Sequence, residues 1–318
     1  MKPSAPLPYF PRVLCLSAIG LILSLPAQTA SAGWKDAREA LDQRRVTGMF
    51  RIHYTTTGSD AIPGGAHADT LTLRLGEQLE RADRFYSGVM GLTSPLANAR
   101  YRDLRAVDVH VMTLEGKKGS TGDAAVVYRY RHFADAVPAL SMSIANRWTP
   151  GNLTPEHEVF HAYQYGYTFF KNAWFLEGMA NAMETAFRDR APGSEPLPQD
   201  AFALRRLLDQ SYAAGAFWQR LMRLCDPTCR PSTQTDRPTP QICGAGFAKR
   251  LLEELQTADK AAAHARGIDP LDWPEAEQRS PRNNPWLQEG LARAMEQRCP
   301  IDGNAELAKF LDVLKTAR

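Results

Sequence analysis

The feature that most constrains this chain is the segment Leu153-Thr154-Pro155-Glu156-His157-Glu158-Val159-Phe160-His161-Ala162. Thr154 carries a hydroxyl suited to capping a helix N-terminus. Pro155 suits the first helical position, where a missing N–H costs nothing. The segment therefore predicts a helix that opens at Thr154. On it His157 and His161 lie one turn apart on the same face. Two imidazoles so placed reach one metal ion, and Glu158 beside them can hold and deprotonate a metal-bound water. The competing reading is an amphipathic helix with two solvated histidines.

A second segment, Asn172-Ala173-Trp174-Phe175-Leu176-Glu177-Gly178-Met179-Ala180, reads as the start of another helix. Glu177 lies there among apolar neighbours, where a carboxylate needs a partner. A catalytic zinc takes three protein ligands and leaves one position open, so two His and one Glu make a suitable set. Taken alone, Glu177 would read as a surface carboxylate. Asn181 and Glu184 share its helix face and are candidates to hold the far nitrogen of a ligating histidine. His53, His67, His110, His132 and His264 show no ligand spacing and read as structural or solvated.

The N-terminal stretch points to export. Lys2 and Arg12 precede an apolar run from Val13 to Leu25, Pro26 breaks it, and Ala30-Ser31-Ala32 offers small residues for cleavage. This layout is that of a signal peptide, residues 1–32, and the run is shorter than the ~20 residues that span a bilayer. An uncleaved anchor is the alternative. Beyond it remain Cys225, Cys229, Cys243 and Cys299, an even number that suggests two disulfides in a secreted or periplasmic chain. Three pairings are open. With 318 residues and a formal net charge of only +3, without a basic block, the chain does not read as a nucleic-acid binder. No membrane partner is expected after signal cleavage.

Strands are expected at Met49 to Thr55, Ala106 to Met112 and Ala139 to Ala145, and a helix over Thr70 to Met90. From Thr154 onward the pattern is almost wholly helical. The expectation is an α+β fold, with a mixed subdomain over 33–165 and a helical one over 166–318 that carries a disulfide-stapled loop.

H-E-V-F-H-A-Y-Q-Y-G-Y followed by A-W-F-L-E-G-M-A resembles the gluzincin group of zinc metallopeptidases. Closer still, it resembles a family of secreted bacterial metallopeptidases with H-E-F-F-H-A-x-Q-F-G-Y and W-F-x-E-G segments; Phe50 to Gly58 is similar to that family's first strand. The likeness runs from about Met49 to Glu184 and fades after Cys225. It implies a zincin-like fold with a twisted sheet, Zn2+ held by His157, His161 and Glu177, and Glu158 as general base. It further implies a peptide or protein substrate hydrolysed through a zinc-activated water. Ser211 to Trp218 is similar to a Y-x-x-G helix start whose tyrosine donates to the oxyanion, which would make Tyr212 catalytic; otherwise Tyr212 is a buried aromatic between helices. Ala61-Ile62-Pro63-Gly64-Gly65 stands where the family carries an acidic loop, so a structural calcium is not expected. The likeness also suggests that Leu140 to Ala145 is a sheet edge that pairs with substrate, with Ser141 to Asn146 as the upper wall of the cleft, the alternative being an ordinary core strand. A substrate-anchoring G-x-M-x-N pattern is missing upstream, which favours cleavage within chains. A zinc hydrolase of non-peptide amides and a non-catalytic secreted binding protein are the rival functions.

Overall fold

The computed structural model describes residues 30–188, 195–231 and 241–317. The expected signal segment lies outside them up to residue 29; from Ala30 the chain is helical, across the expected cleavage point, as α1 (Ala30–Glu39). Strands β1 (Gln43–Thr47) and β2 (Phe50–Tyr54) form a hairpin whose two-residue turn places Gly48 at a φ of 52°. Helix α2 (Ala68–Arg84) follows, then β3 (Ala106–Met112), β4 (Gly119–Thr121), β5 (Val126–Val127) and β6 (Pro138–Ala145). These strands form one mixed sheet in the order β1-β2-β3-β6-β4, with β5 also on β6. The pairs β2–β3 and β3–β6 are parallel, and the others are antiparallel.

The second half is built on α3 (Thr154–Tyr167) and α4 (Ala173–Glu184), followed by α5 (Ala201–Leu208) and α6 (Gly215–Cys225). A short hairpin of β7 (Cys229–Pro231) and β8 (Gln241–Cys243) leads to α7 (Ala245–Arg266), α8 (Glu275–Gln278), α9 (Asn284–Arg298) and α10 (Ala305–Thr316). The expected α+β class holds, with strands in the first half and helices in the second. A single apolar core runs through both halves, from Phe50 and Val109 to Leu291 and Phe310. Cys225 is bonded to Cys299, and Cys229 to Cys243. The second bond closes the loop that the cysteines were expected to staple, and the first ties the end of α6 to the residue after α9.

Two expectations need correction. Strand β6 is not an edge: β3 occupies one side of it, and β4 and β5 the other. The chain leaves β3, crosses the end of β6 and returns outside it, held there by Ala145 N–H donating to the Lys118 carbonyl at 2.9 Å. The outer strand is therefore β4. Nor does Thr154 cap α3. It is the first helical residue, and the Asn152 side chain accepts from its N–H at 2.9 Å and its hydroxyl at 2.6 Å.

The sheet also departs from a simple apolar–polar alternation. Val107, Val109 and Val111 face the core as expected, yet every residue of β3 is buried. The alternate positions Arg51, His53, Asp108, His110, Ser141 and Ser143 form a second, polar buried face. Tyr128, Tyr130 and Arg38 cover it. Tyr130 donates to Asp108 at 2.9 Å and meets His110 Nε2 at 2.8 Å, while Arg38 reaches Tyr128 and Ser143. Arg51 grips Asp108 through two bonds of 2.6 and 2.8 Å. Burial alone would raise the Asp108 pKa, but His53, 3.7 Å away, and the hydrogen bonds and charge of Arg51 hold it down at about 2.

Because the folded-state pKa of Asp108 is depressed, its contribution to stability is present above the unfolded value of about 3.9 and is lost as pH falls towards about 2. Asp108→Asn leaves the buried Arg51 guanidinium with only the half-exposed Asp135, at 3.0 Å, as counter-charge, so urea unfolding at pH 7 should show a loss of about 2–3 kcal/mol. The difference between variant and wild type should narrow as the pH is lowered through that window.

Candidate metal centre

Helix α3 is buried on all sides, from Pro155 to Tyr167, and lies between α2 and α4 with β4 alongside. A helix so enclosed brings whatever polar groups it carries into contact with other elements. Glu156 turns towards α2, where Arg81 at 2.7 Å and Gln78 receive it. His157 and His161 turn towards α4. Their Nε2 atoms lie 3.2 and 3.4 Å from one oxygen, Glu177 Oε2. One ligand atom from each of the three residues falls within 4.8 Å of the others. Donors at about 2.0–2.2 Å from a tetrahedrally coordinated ion stand about 3.3–3.6 Å apart, close to the two histidine–Glu177 separations.

The far nitrogens of both rings are held. Glu184 Oε2 lies 3.4 Å from His157 Nδ1, as its place on the Glu177 face suggested. Gln164 Oε1 lies 2.9 Å from His161 Nδ1, and Gln164 Nε2 donates to the Leu176 carbonyl at 3.2 Å. These contacts fix each ring with Nε2 directed inward. Asn181 does not touch the rings and instead lies against Gly215. Gln164 escaped the sequence reading, although it follows His161 by one helical turn and the i, i+3 relation was there to be used.

The electrostatics ask for positive charge between these groups. Burial opposes ionisation of Glu177, yet hydrogen bonds with His157 and His161 bring its pKa well below the usual carboxylate range. Burial would lower the His157 pKa, but hydrogen bonds to Glu177 and Glu184 and the nearby charge of Glu158 push it up to about 9. A cation bound by the three side chains would supply the same charge.

Glu158 is buried beside this cluster, and burial raises its pKa. Thr121 of β4 donates to its Oε2 at 2.7 Å. The preceding turn of the strand presses on it too: a Cβ at Gly119 would stand 2.5 Å from Glu158 Oε1. Neither Thr121 nor Gly119 carried a sequence signal, because the contact joins segments remote in the chain.

Tyr212 sits in a single turn, Tyr212–Ala214, just before α6. It is 57% exposed, which excludes the buried-aromatic reading, and its ring stacks on His157 with centroids 5.6 Å apart. Burial of its inner part and the charge of Glu177 raise its pKa. Gly178 makes this placement possible, since a Cβ there would meet Ala214 Cβ at 2.7 Å and keep the turn away from α4. A cleft of ≈ 700 Å³ opens over His157, Glu158, His161, Glu177 and Tyr212, with β4 on its wall. Of the other histidines, His53 and His110 are buried beneath the sheet, and His67, His132 and His264 are exposed. No family model, curated protein or solved structure matches the chain.

Replacing either outer partner should loosen a ring without removing a ligand. Glu184→Gln and Gln164→Ala should each weaken the hold of this candidate centre on an added divalent metal ion about 10–100-fold in competition with a chromophoric chelator. His264→Ala, at an exposed position, should leave it unchanged.

Proposed function

We propose that this chain is an exported zinc-dependent peptidase of gluzincin type, with a zincin-like fold. The observation that carries the reading is the convergence of His157 Nε2 and His161 Nε2 on Glu177 Oε2, with a buried carboxylate, Glu158, beside them. A purely structural site needs ligands but no base, and it has no use for a cleft.

Zinc at His157, His161 and Glu177 would supply Lewis acidity, polarising a carbonyl and acidifying water at its open position. Glu158 takes a proton from the water that attacks the peptide carbonyl carbon. It then delivers that proton to the departing amine nitrogen as the C–N bond breaks, and the second water proton passes from the new carboxyl group to the amine, which yields a carboxylate and an ammonium. Its raised pKa suits a group that must both accept and return a proton. Thr121 keeps the carboxylate aimed across the cleft. The Tyr212 hydroxyl faces the same cleft and donates to the oxygen on which negative charge develops. Export, to the cell exterior or the periplasm, agrees with two disulfides, which persist in oxidising compartments. No helix among the described residues is long and apolar enough to cross a membrane.

The test is the protein from residue 33 onward beside its Glu158→Gln variant, assayed for zinc by elemental analysis and for cleavage of unfolded casein. About one zinc per chain in both, with cleavage by the wild type alone, is the expected result. A folded wild type that takes up no zinc on reconstitution removes the peptidase reading. Equal cleavage by both proteins removes Glu158 as base. Gly119→Ala should keep its zinc and lose at least about tenfold in kcat/KM, because the added methyl displaces the Glu158 carboxylate.

A further inference from the structure

The charged side chains around the cleft are not equally committed. Glu158, Glu177 and Glu184 are engaged with Thr121 and the two histidines. Arg188 is paired with Glu184, and Arg279 with Glu275 at 2.6 Å. Lys117 and Lys118 line the same cleft, are exposed, and have no ion-pair partner among the described residues. They are not on a loose loop. The Lys118 carbonyl is fixed to Ala145 N–H at 2.9 Å, and Gly119, the next residue, abuts Glu158. The backbone that carries two lysines without an ion-pair partner among the described residues is thus anchored just before the outer strand, on the wall of the cleft.

We propose that Lys117 and Lys118 make the cleft selective for peptides carrying a carboxylate on one side of the scissile bond. The proposal rests on the peptidase reading for its substrate and on the unpaired lysines for its selectivity. Because Glu158, Glu177 and Glu184 already have partners, these two ammonium groups are the cleft charges left to attract an anion among the described residues. Both lysines lie at the same end of β4, so the preference falls on one side of the cleaved bond. The carboxylate is either an Asp or Glu side chain or the peptide's own C-terminus.

The experiment uses fluorescent decapeptides, matched except for Glu or Gln at scanned positions, each with a free or an amidated C-terminus. Binding is measured by anisotropy to the zinc-loaded Glu158→Gln protein, and kcat/KM is measured with the wild type. The best carboxylate-bearing peptide should bind about five- to tenfold tighter than its neutral match, the scale of two partly exposed ion pairs. That gap should close in the Lys117→Ser/Lys118→Ser variant and shrink at high salt. The free and amidated arms then assign the preference to the side chain or to the chain end. Equal binding of charged and neutral peptides, or a gap that survives loss of both lysines, overturns the proposal. If the gap holds but the wild type cleaves no peptide, the peptidase reading fails and the anion-selective cleft stands. If both peptides are cleaved and bound alike, the reverse is true.

Discussion

Everything in this structure is arranged around two imidazoles and a carboxylate brought within hydrogen-bonding distance inside a protein core. Desolvating Glu177 is costly unless positive charge stands beside it. The fold supplies that charge either as a proton on His157 or as a cation in its place, and the surrounding elements hold the ligands ready for either. Helix α3 is enclosed, so each polar group on it meets a neighbouring element, and the two histidines meet α4. Gln164 and Glu184 prevent the rings from turning away. Gly178 lets the Tyr212 turn come close enough to roof the cluster.

Glu158, the proposed base, is positioned by a different part of the molecule. It shares a helix with the two histidines but takes its contacts from β4, through Thr121 and the bare backbone of Gly119. The His–His–Glu cluster and Glu158 therefore answer to separate neighbours, α4 and the sheet. The far side of that sheet is a buried polar lattice built on Arg51, Asp108 and Tyr130 rather than an apolar layer.

How much of this was legible in the sequence depended on distance along the chain. The pairing of His157 with His161, the face shared by Glu177 and Glu184, and the strand at Ala106–Met112 follow from helical or strand periodicity, which is local. Glu184 was named as a candidate partner for that reason. Thr121, Gly119 and the free lysines were not legible, because their roles arise where β4 comes to lie beside α3. The placement of β4 depends on a crossing over the end of β6 that no periodicity announces, and for the same reason the choice between edge and core strand for β6 stayed open. The Thr154 hydroxyl suggests a cap, whereas it is Asn152 that receives the first helical N–H, since two nearby polar residues offer the same chemistry and only geometry chooses between them. Disulfide pairing was open for a similar reason, as four cysteines carry no record of which come together.

The bond between Cys225 and Cys299 has a topological consequence. It joins residues 74 apart, and the shorter bridge between Cys229 and Cys243 lies wholly inside the loop it closes. Hydrolysis of any single backbone bond between residues 225 and 299 therefore leaves two pieces that are still one covalent molecule. The helix that begins beside Tyr212 stays tethered to the C-terminal helices after such a nick. A chain wired in this way can be scarred by proteolysis across nearly a quarter of its length without being divided by it.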